Sequence, residues 1–176
     1  MDLHSDRRIA PLLVLLLLFV PLNIYVIGDW LGTGVQWALF RYQETTYGAS
    51  LITVASDIGY VSSGLIAGKT AISFLLWDVG AVILLVSFFA LLLVMVERER
   101  EWIHYAGLAI AASGVLFLAS CIAQYGPTFA GPAGFAVPLG VPLVFAVGWL
   151  VFVQKSGGEE DRDDDKEEDT EADTGE

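Results

Sequence analysis

Two aspartates set among apolar residues, Asp57 and Asp78, are the residues whose type and setting most invite chemistry. Two carboxylates that share a proton can activate water, as in an intramembrane aspartyl protease. The local sequences Ser56-Asp57-Ile58-Gly59 and Trp77-Asp78-Val79-Gly80 lack the Gly-x-Gly-Asp arrangement of such enzymes, and Asp57 falls in an expected loop. No catalytic residue is assigned, and the chain is read as a non-enzyme. Asp78 is a candidate in its own right, because an ionisable group inside an apolar run often marks a proton or ion path. Its place one to two turns from the outer end of its run, beside Trp77, favours instead an interfacial carboxylate bonded to the loop or to Lys69. Burial separates the two readings.

The remaining reactive residues offer less. Cys121 stands alone, which excludes an intramolecular disulfide and any redox relay needing a cysteine pair. As a transpeptidase-like nucleophile it needs a base and a cationic stabiliser, and the sequence puts no His or Arg on neighbouring spans at that depth, so it reads as a small packing residue. His4 and His104 are the only histidines and neither has a ligand set around it; no metal site and no cofactor is expected. Arg41 either pairs weakly with Glu44 on the surface or holds a headgroup phosphate. Nucleic acid is not an expected partner of a chain with a formal net charge of −12.

The elements that must position these residues are apolar. Apolar residues make up 55% of the chain, more than a soluble domain of this size buries in one core. They gather in four runs, 9–28, 71–96, 103–123 and 134–153. Each is long enough to cross a bilayer as a helix, which takes roughly 20 residues. Asp78 is the one charged residue inside them. The expected fold is therefore an all-α integral membrane four-helix bundle, residues 1–154, with one structured outer loop at 29–70. Arg7, Arg8, Arg98, Arg100 and Lys155 fall on one side of four crossings, which makes that side, with both termini, cytoplasmic.

Within the outer loop, Trp30, Trp37, Phe40 and Arg41 are candidate contact residues, and 34–44 reads as a short helix lying in the interface. Residues 50–54 are β-prone, and 49–68 is either extended or re-entrant. Gly107, Ala111, Gly114, Leu118 and Cys121 recur at helical spacing and form a mostly small face for close helix packing, within the bundle or between copies. Residues 155–176 carry twelve acids against three bases and no apolar residue beyond Ala172, so they read as a disordered acidic tail. Acidic residues outnumber lysines twenty-one to three. That excess is either salt adaptation, since the Debye length at molar salt is about 3 Å, or a docking element.

The order of Val20-Pro21 leading to Ile27-Gly28-Asp29, then Trp37 with Phe40-Arg41-Tyr42, then a second apolar helix, resembles small uncharacterised haloarchaeal multipass membrane proteins over roughly residues 8 to 120. The resemblance implies no known activity. The layout of long first outer loop, minimal inside link and shorter second outer loop also resembles that of claudin-type tetraspan proteins, with Trp30 and Gly34-Val35-Gln36-Trp37 in the place of their loop tryptophans. The paired loop cysteines of that family are absent, so the likeness is of layout. The expectation is an accessory or assembly component of the archaeal cell envelope, with the lipid bilayer and other membrane proteins or its own copies as partners. The alternatives are a small ion- or proton-coupled transporter or channel subunit using Asp78, and an intramembrane enzyme using Asp57 and Asp78.

Overall fold

Pro21 decides the first departure from that expectation. The helix that opens the first apolar run, α1 (Ile9–Phe19), ends two residues before it, and the run continues as a strand, β1 (Asn23–Ile27). Asn-Ile-Tyr-Val-Ile is β-branched and aromatic, and a short apolar run of this kind suits a strand as well as a helix by hydropathy alone. The computed structural model describes residues 9–97 and 101–153. The acidic tail at 155–176 and the basic residues Arg7, Arg8, Arg98, Arg100 and Lys155 lie outside the described residues.

The outer loop is a meander. β2 (Gly32–Gln36), β3 (Phe40–Thr45) and β4 (Gly48–Thr53) follow β1, and a short helix, α2 (Val54–Ser62), closes the segment. The expected interfacial helix at 34–44 is thus two strands and a turn. Its apolar residues alternate with polar ones in Phe40-Arg41-Tyr42-Gln43, a period of two that a helix of 3.6 cannot sort onto one face. Thr53 caps α2. Its side chain accepts from the Ser56 amide at 3.3 Å. The segment 49–68, read as extended or re-entrant, is therefore strand, helix and turn.

Two long helices come next, α3 (Gly68–Glu97) and α4 (Glu101–Tyr125). The fourth apolar run divides like the first. A hairpin of β5 (Ala130–Gly131) and β6 (Gly134–Val137) precedes Pro138, and α5 (Val141–Val153) begins only afterwards, with Pro142 in its first turn where a missing amide costs nothing. β6 pairs with β1, joining both outer connections into a six-stranded antiparallel sheet of order β4-β3-β2-β1-β6-β5. The all-α four-helix bundle is overturned by this sheet, and by the shortening of the first and fourth runs to helices of 11 and 13 residues. Two helices are long and apolar enough to cross a membrane, over Gly68–Val94 and Ile103–Tyr125.

The helices pack as neighbours, α3 on α4, α4 on α5, and α1 against α3 and α5. Phe117 fills the α3–α4 seam, fully buried over Gly80 and 4.6 Å from the ring of Trp77. On the α5 side Gly107 admits the backbone so closely that a Cβ there would lie 2.7 Å from the Phe152 amide nitrogen, and one on Gly148 would lie 3.0 Å from that of Ala111. Gly114 meets Phe145 and Val144 of the same helix, so the small-residue face of α4 is turned to a neighbour within the chain. The opposite surface of α3 carries an exposed stripe, Ile72, Leu75, Val79, Val82, Val86, Phe89 and Leu93, at helical spacing.

Gly107→Val should lower stability by about 1–3 kcal/mol, because a branched side chain has only backbone to displace. Gly59→Ala, in α2 with nothing within 4 Å of its Cβ position, should gain about 0.5–1 kcal/mol from the helix propensity of alanine. Thermal unfolding of both variants beside the parent checks the pair.

Candidate functional site

Two rows of the sheet run against the usual polarity, although Ile52 and Ala136 keep apolar positions on the inner face and Thr33 and Glu44 polar ones on the outer. The inner face, turned to the helices, carries Asn23, Gln36 and Arg41 in one cross-strand row and Tyr25 and Gln43 in the next. Asn23, Tyr25 and Arg41 are buried. The outer face carries Val137, Ile24, Val35, Tyr42 and Leu51, each the cross-strand partner of the next, in an apolar row that spans five strands. Ile24, Tyr42, Leu51 and Val137 are exposed. An antiparallel sheet with one face on a core ordinarily presents the apolar face inward.

Arg41 is the centre of the inner face. Its Nη2 donates to Asp57 Oδ1 at 2.6 Å, and both side chains are more than nine-tenths buried. Its guanidinium carbon lies 3.9 Å from the centroid of the Phe74 ring on α3, a cation–π contact. One residue therefore joins β3, α2 and α3. Trp77 adds a second tie, donating from Nε1 to the Ala38 carbonyl at 3.2 Å in the β2–β3 turn. Burial pushes the Asp57 carboxyl up from its ordinary range while the Arg41 charge and hydrogen bond pull it down, and burial is the larger effect. Because burying both charges offsets their mutual attraction, the pair fixes position more than it adds stability.

Asp78 lies in the same cleft, which Arg41, Asp57, Trp77 and Asp78 line together. It is 4% exposed, and neither carboxylate oxygen has a hydrogen-bond partner within the protein. The expected interfacial carboxylate bonded to Lys69 does not form: Lys69 is exposed at the first turn of α3, and the ion pair among the described residues is that of Arg41 with Asp57. Helical spacing explains the difference, since Phe74, Trp77 and Asp78, at i, i+3 and i+4, share the face that the sheet covers. Asp57 is engaged by Arg41 and makes no hydrogen bond to Asp78, so the two do not form a proton-sharing dyad.

Beside this cleft, between the sheet, the N-terminal end of α3 and the C-terminal end of α4, is a cavity of about 190 Å³. From the sheet Asn23, Tyr25, Gln36, Arg41 and Gln43 line it, and from the helices Thr70, Ser73, Ser120, Gln124 and Tyr125. Its floor is a reciprocal clasp in which Ser73 Oγ donates to the Ser120 carbonyl at 3.0 Å and Ser120 Oγ to the Ser73 carbonyl at 2.8 Å. Asn23 Oδ1 and Gln124 Oε1 are buried without a partner. Tyr25 donates to Gln43 Oε1 at 3.3 Å, and burial pushes its phenol up to about 12, so it stays neutral.

The other residues singled out in the sequence are dispersed. Trp30 is 71% exposed on a left-handed backbone (φ 61°) and packs edge-on against Phe135, with ring centroids 5.9 Å apart. Trp37 and Phe40 stack on each other at 4.8 Å across the β2–β3 turn. Arg41 is no surface residue and pairs with Asp57, not Glu44. Cys121 is buried and lines the cavity, where Arg41 is a neighbour that span positions alone did not foresee, but no histidine or carboxylate lines the same space. Among the described residues no group of three or more His, Cys, Asp or Glu is placed to hold a metal ion. The reading of the sequence missed Tyr25, Gln36, Ser73, Ser120 and Gln124. Ser73 and Ser120 had a legible signal, as isolated polar residues in apolar helices commonly bond across a helix pair. No protein-family model matches this chain, and no curated protein matches it in sequence.

Asp57→Asn should destabilise the fold by about 3–5 kcal/mol, because it strands the buried Arg41 charge. Asp78→Asn, which keeps the shape and removes a carboxyl group that has no partner, should change stability by less than about 1 kcal/mol. Denaturant or thermal midpoints of the two variants distinguish a structural carboxylate from an unpaired one.

Proposed function

We propose that this chain is a non-catalytic assembly component of an archaeal cell envelope, held in the membrane by its helices and joined to further copies of itself through its sheet. The observation that carries this reading is the outward apolar row from Val137 to Leu51, which ends at the free edge of β4. That edge, Gly48-Ala49-Ser50-Leu51-Ile52-Thr53, has no charge and no proline, the devices that ordinarily keep an edge strand from pairing with another chain. A second copy added antiparallel about a two-fold axis continues both the hydrogen-bond ladder and the apolar row.

The membrane part of the reading is supported by the two long apolar helices and by the exposed apolar stripe on α3, which lipid solvates and water does not. In this reading the chain is multipass. α3 and α4 cross as a hairpin with Arg98 and Arg100 on the cytoplasmic side, and α1 and α5, of 11 and 13 residues, pack beside them. The acidic excess suits a molar-salt habitat, in which exposed charges are screened and apolar contacts carry association. The layout similar to claudin-type tetraspan proteins agrees with a contact role.

A second reading has its own observation, the burial of Asp78 with two unpartnered oxygens beside Arg41 and Asp57. A proton- or ion-coupled transport subunit needs such a group. It requires that proteoliposomes containing the protein pass protons or sodium and that Asp78→Asn stops the flux without unfolding the protein; absence of flux from the parent removes this reading.

The assembly reading is tested by Leu51→Cys, since the sole native cysteine is buried. In membranes at molar salt a short bis-maleimide should give a covalent dimer, and adding Ala49→Lys should abolish it, because burying an ammonium group between the paired edges is costly even where salt screens repulsion. A chain that stays monomeric at every concentration contradicts the proposal.

A further inference from the structure

The assembly reading leaves the cavity behind the sheet unused. Its volume of about 190 Å³ exceeds the ~150 Å³ that admits a benzene ring in an apolar core. It has room for one six-membered ring, and polar side chains are set among a mostly apolar lining.

Charge narrows the ligand. The cavity's lining holds one charged side chain, Arg41, whose charge Asp57 meets at 2.6 Å, so neither a cation nor an anion finds an opposite charge free to hold it. Two lining side chains, Asn23 and Gln124, each have a buried amide oxygen without a partner, and a small turn of either amide toward the space would present it as an acceptor. They call for donors, which a phosphate or carboxylate cannot supply and hydroxyl groups can. A bare metal ion would leave most of the space empty.

The walls agree with a hydroxylated ring. Tyr25, Phe74 and Tyr125 offer ring surfaces to an apolar C–H face, while the amides of Asn23, Gln36 and Gln124 offer partners to the hydroxyl groups around its edge. The phenol of Tyr25 remains protonated and hence able to donate as well as accept. The space lies between the first turns of α3 and the last turns of α4, at the depth of lipid headgroups if those helices cross a bilayer.

The geometry points to a binding site for an uncharged, polyhydroxylated six-membered ring, a single sugar unit, held between the inner face of the sheet, the N-terminal end of α3 and the C-terminal end of α4. The same chemistry comes from the headgroup of a glycolipid or from a free glycoside. The glycolipid arm depends on the helices lying in a membrane; the free-glycoside arm does not.

The test uses the full chain in nanodiscs. One set contains phosphatidylglycerol with monoglucosyl or monogalactosyl diacylglycerol, and the other phosphatidylglycerol alone with methyl glucoside, methyl galactoside or myo-inositol added. The expected result is a rise in thermal midpoint with at least one of these ligands, with slowed amide exchange at 23–27 and 120–125. A rise with the lipid alone identifies a headgroup site, and a rise with the free ring identifies a soluble one. Gln124→Met, which keeps the size and removes one orphan acceptor, should weaken binding about tenfold, and Ala133→Phe, which fills the cavity from its lining, should abolish it. No shift with any ligand, protection elsewhere in the chain, or affinity unchanged in both variants overturns the proposal. The exchange map on the parent protein decides the matter should either variant fail to fold.

Discussion

The burial of Arg41 is the constraint on which the arrangement of this molecule depends. A guanidinium more than nine-tenths buried must be matched at once in charge and in shape, and here Asp57 supplies the first and the Phe74 ring the second. Those partners sit on α2 and α3, so placing Arg41 fixes how the sheet meets the helices. The period of two along β3 then turns Tyr42 outward, and the register across five strands carries the same choice to Ile24, Val35, Leu51 and Val137. One inward arginine thus goes with a polar inner face, a cavity behind it and an apolar face toward the surroundings.

That partial inversion links the fold to both proposals. A polar inner face cannot close tightly on helix ends that also bear Ser73, Ser120 and Gln124, so space for a polar ligand remains between them. An apolar outer face gains from being covered, and the unguarded β4 edge offers the place to begin. The ion pair itself contributes little net stability, since the cost of burying both charges offsets their attraction. Its role is orientation. Asp78 lies one helical position beyond Trp77 under the same sheet, which accounts for its burial but not for its lack of partners.

The parts legible in the sequence were those in which hydropathy and period agree. α3 and α4 contain the apolar runs 71–96 and 103–123, in which polar residues are few and proline is absent. The ends of the first and fourth runs were not legible. Ile24 to Ile27 and Phe135 to Val137 are as hydrophobic as a membrane helix, and Pro21 and Pro138 mark boundaries within the runs that hydropathy alone does not show. Alternation in Phe40-Arg41-Tyr42-Gln43 was the neglected sign of a strand. Asp57 and Asp78 were named as a pair from composition, but only the fold showed that Arg41 stands with one and not the other. The cavity was beyond reach, since its walls come from strands and helices far apart in the chain that strand pairing brings together.

Residues 23–27 and 134–137 form paired strands rather than the ends of helical spans, and in the proposed topology they lie outside the membrane. Single cysteines at Ile24 and Val137, cross-strand partners on the exposed face, test this arrangement in sealed vesicles of known orientation. If the strands are paired there, a membrane-impermeant maleimide labels each from the outer side, and a mild oxidant joins the two in the double variant. If both positions are shielded from the reagent and cannot be joined, they lie in lipid and the sheet does not exist.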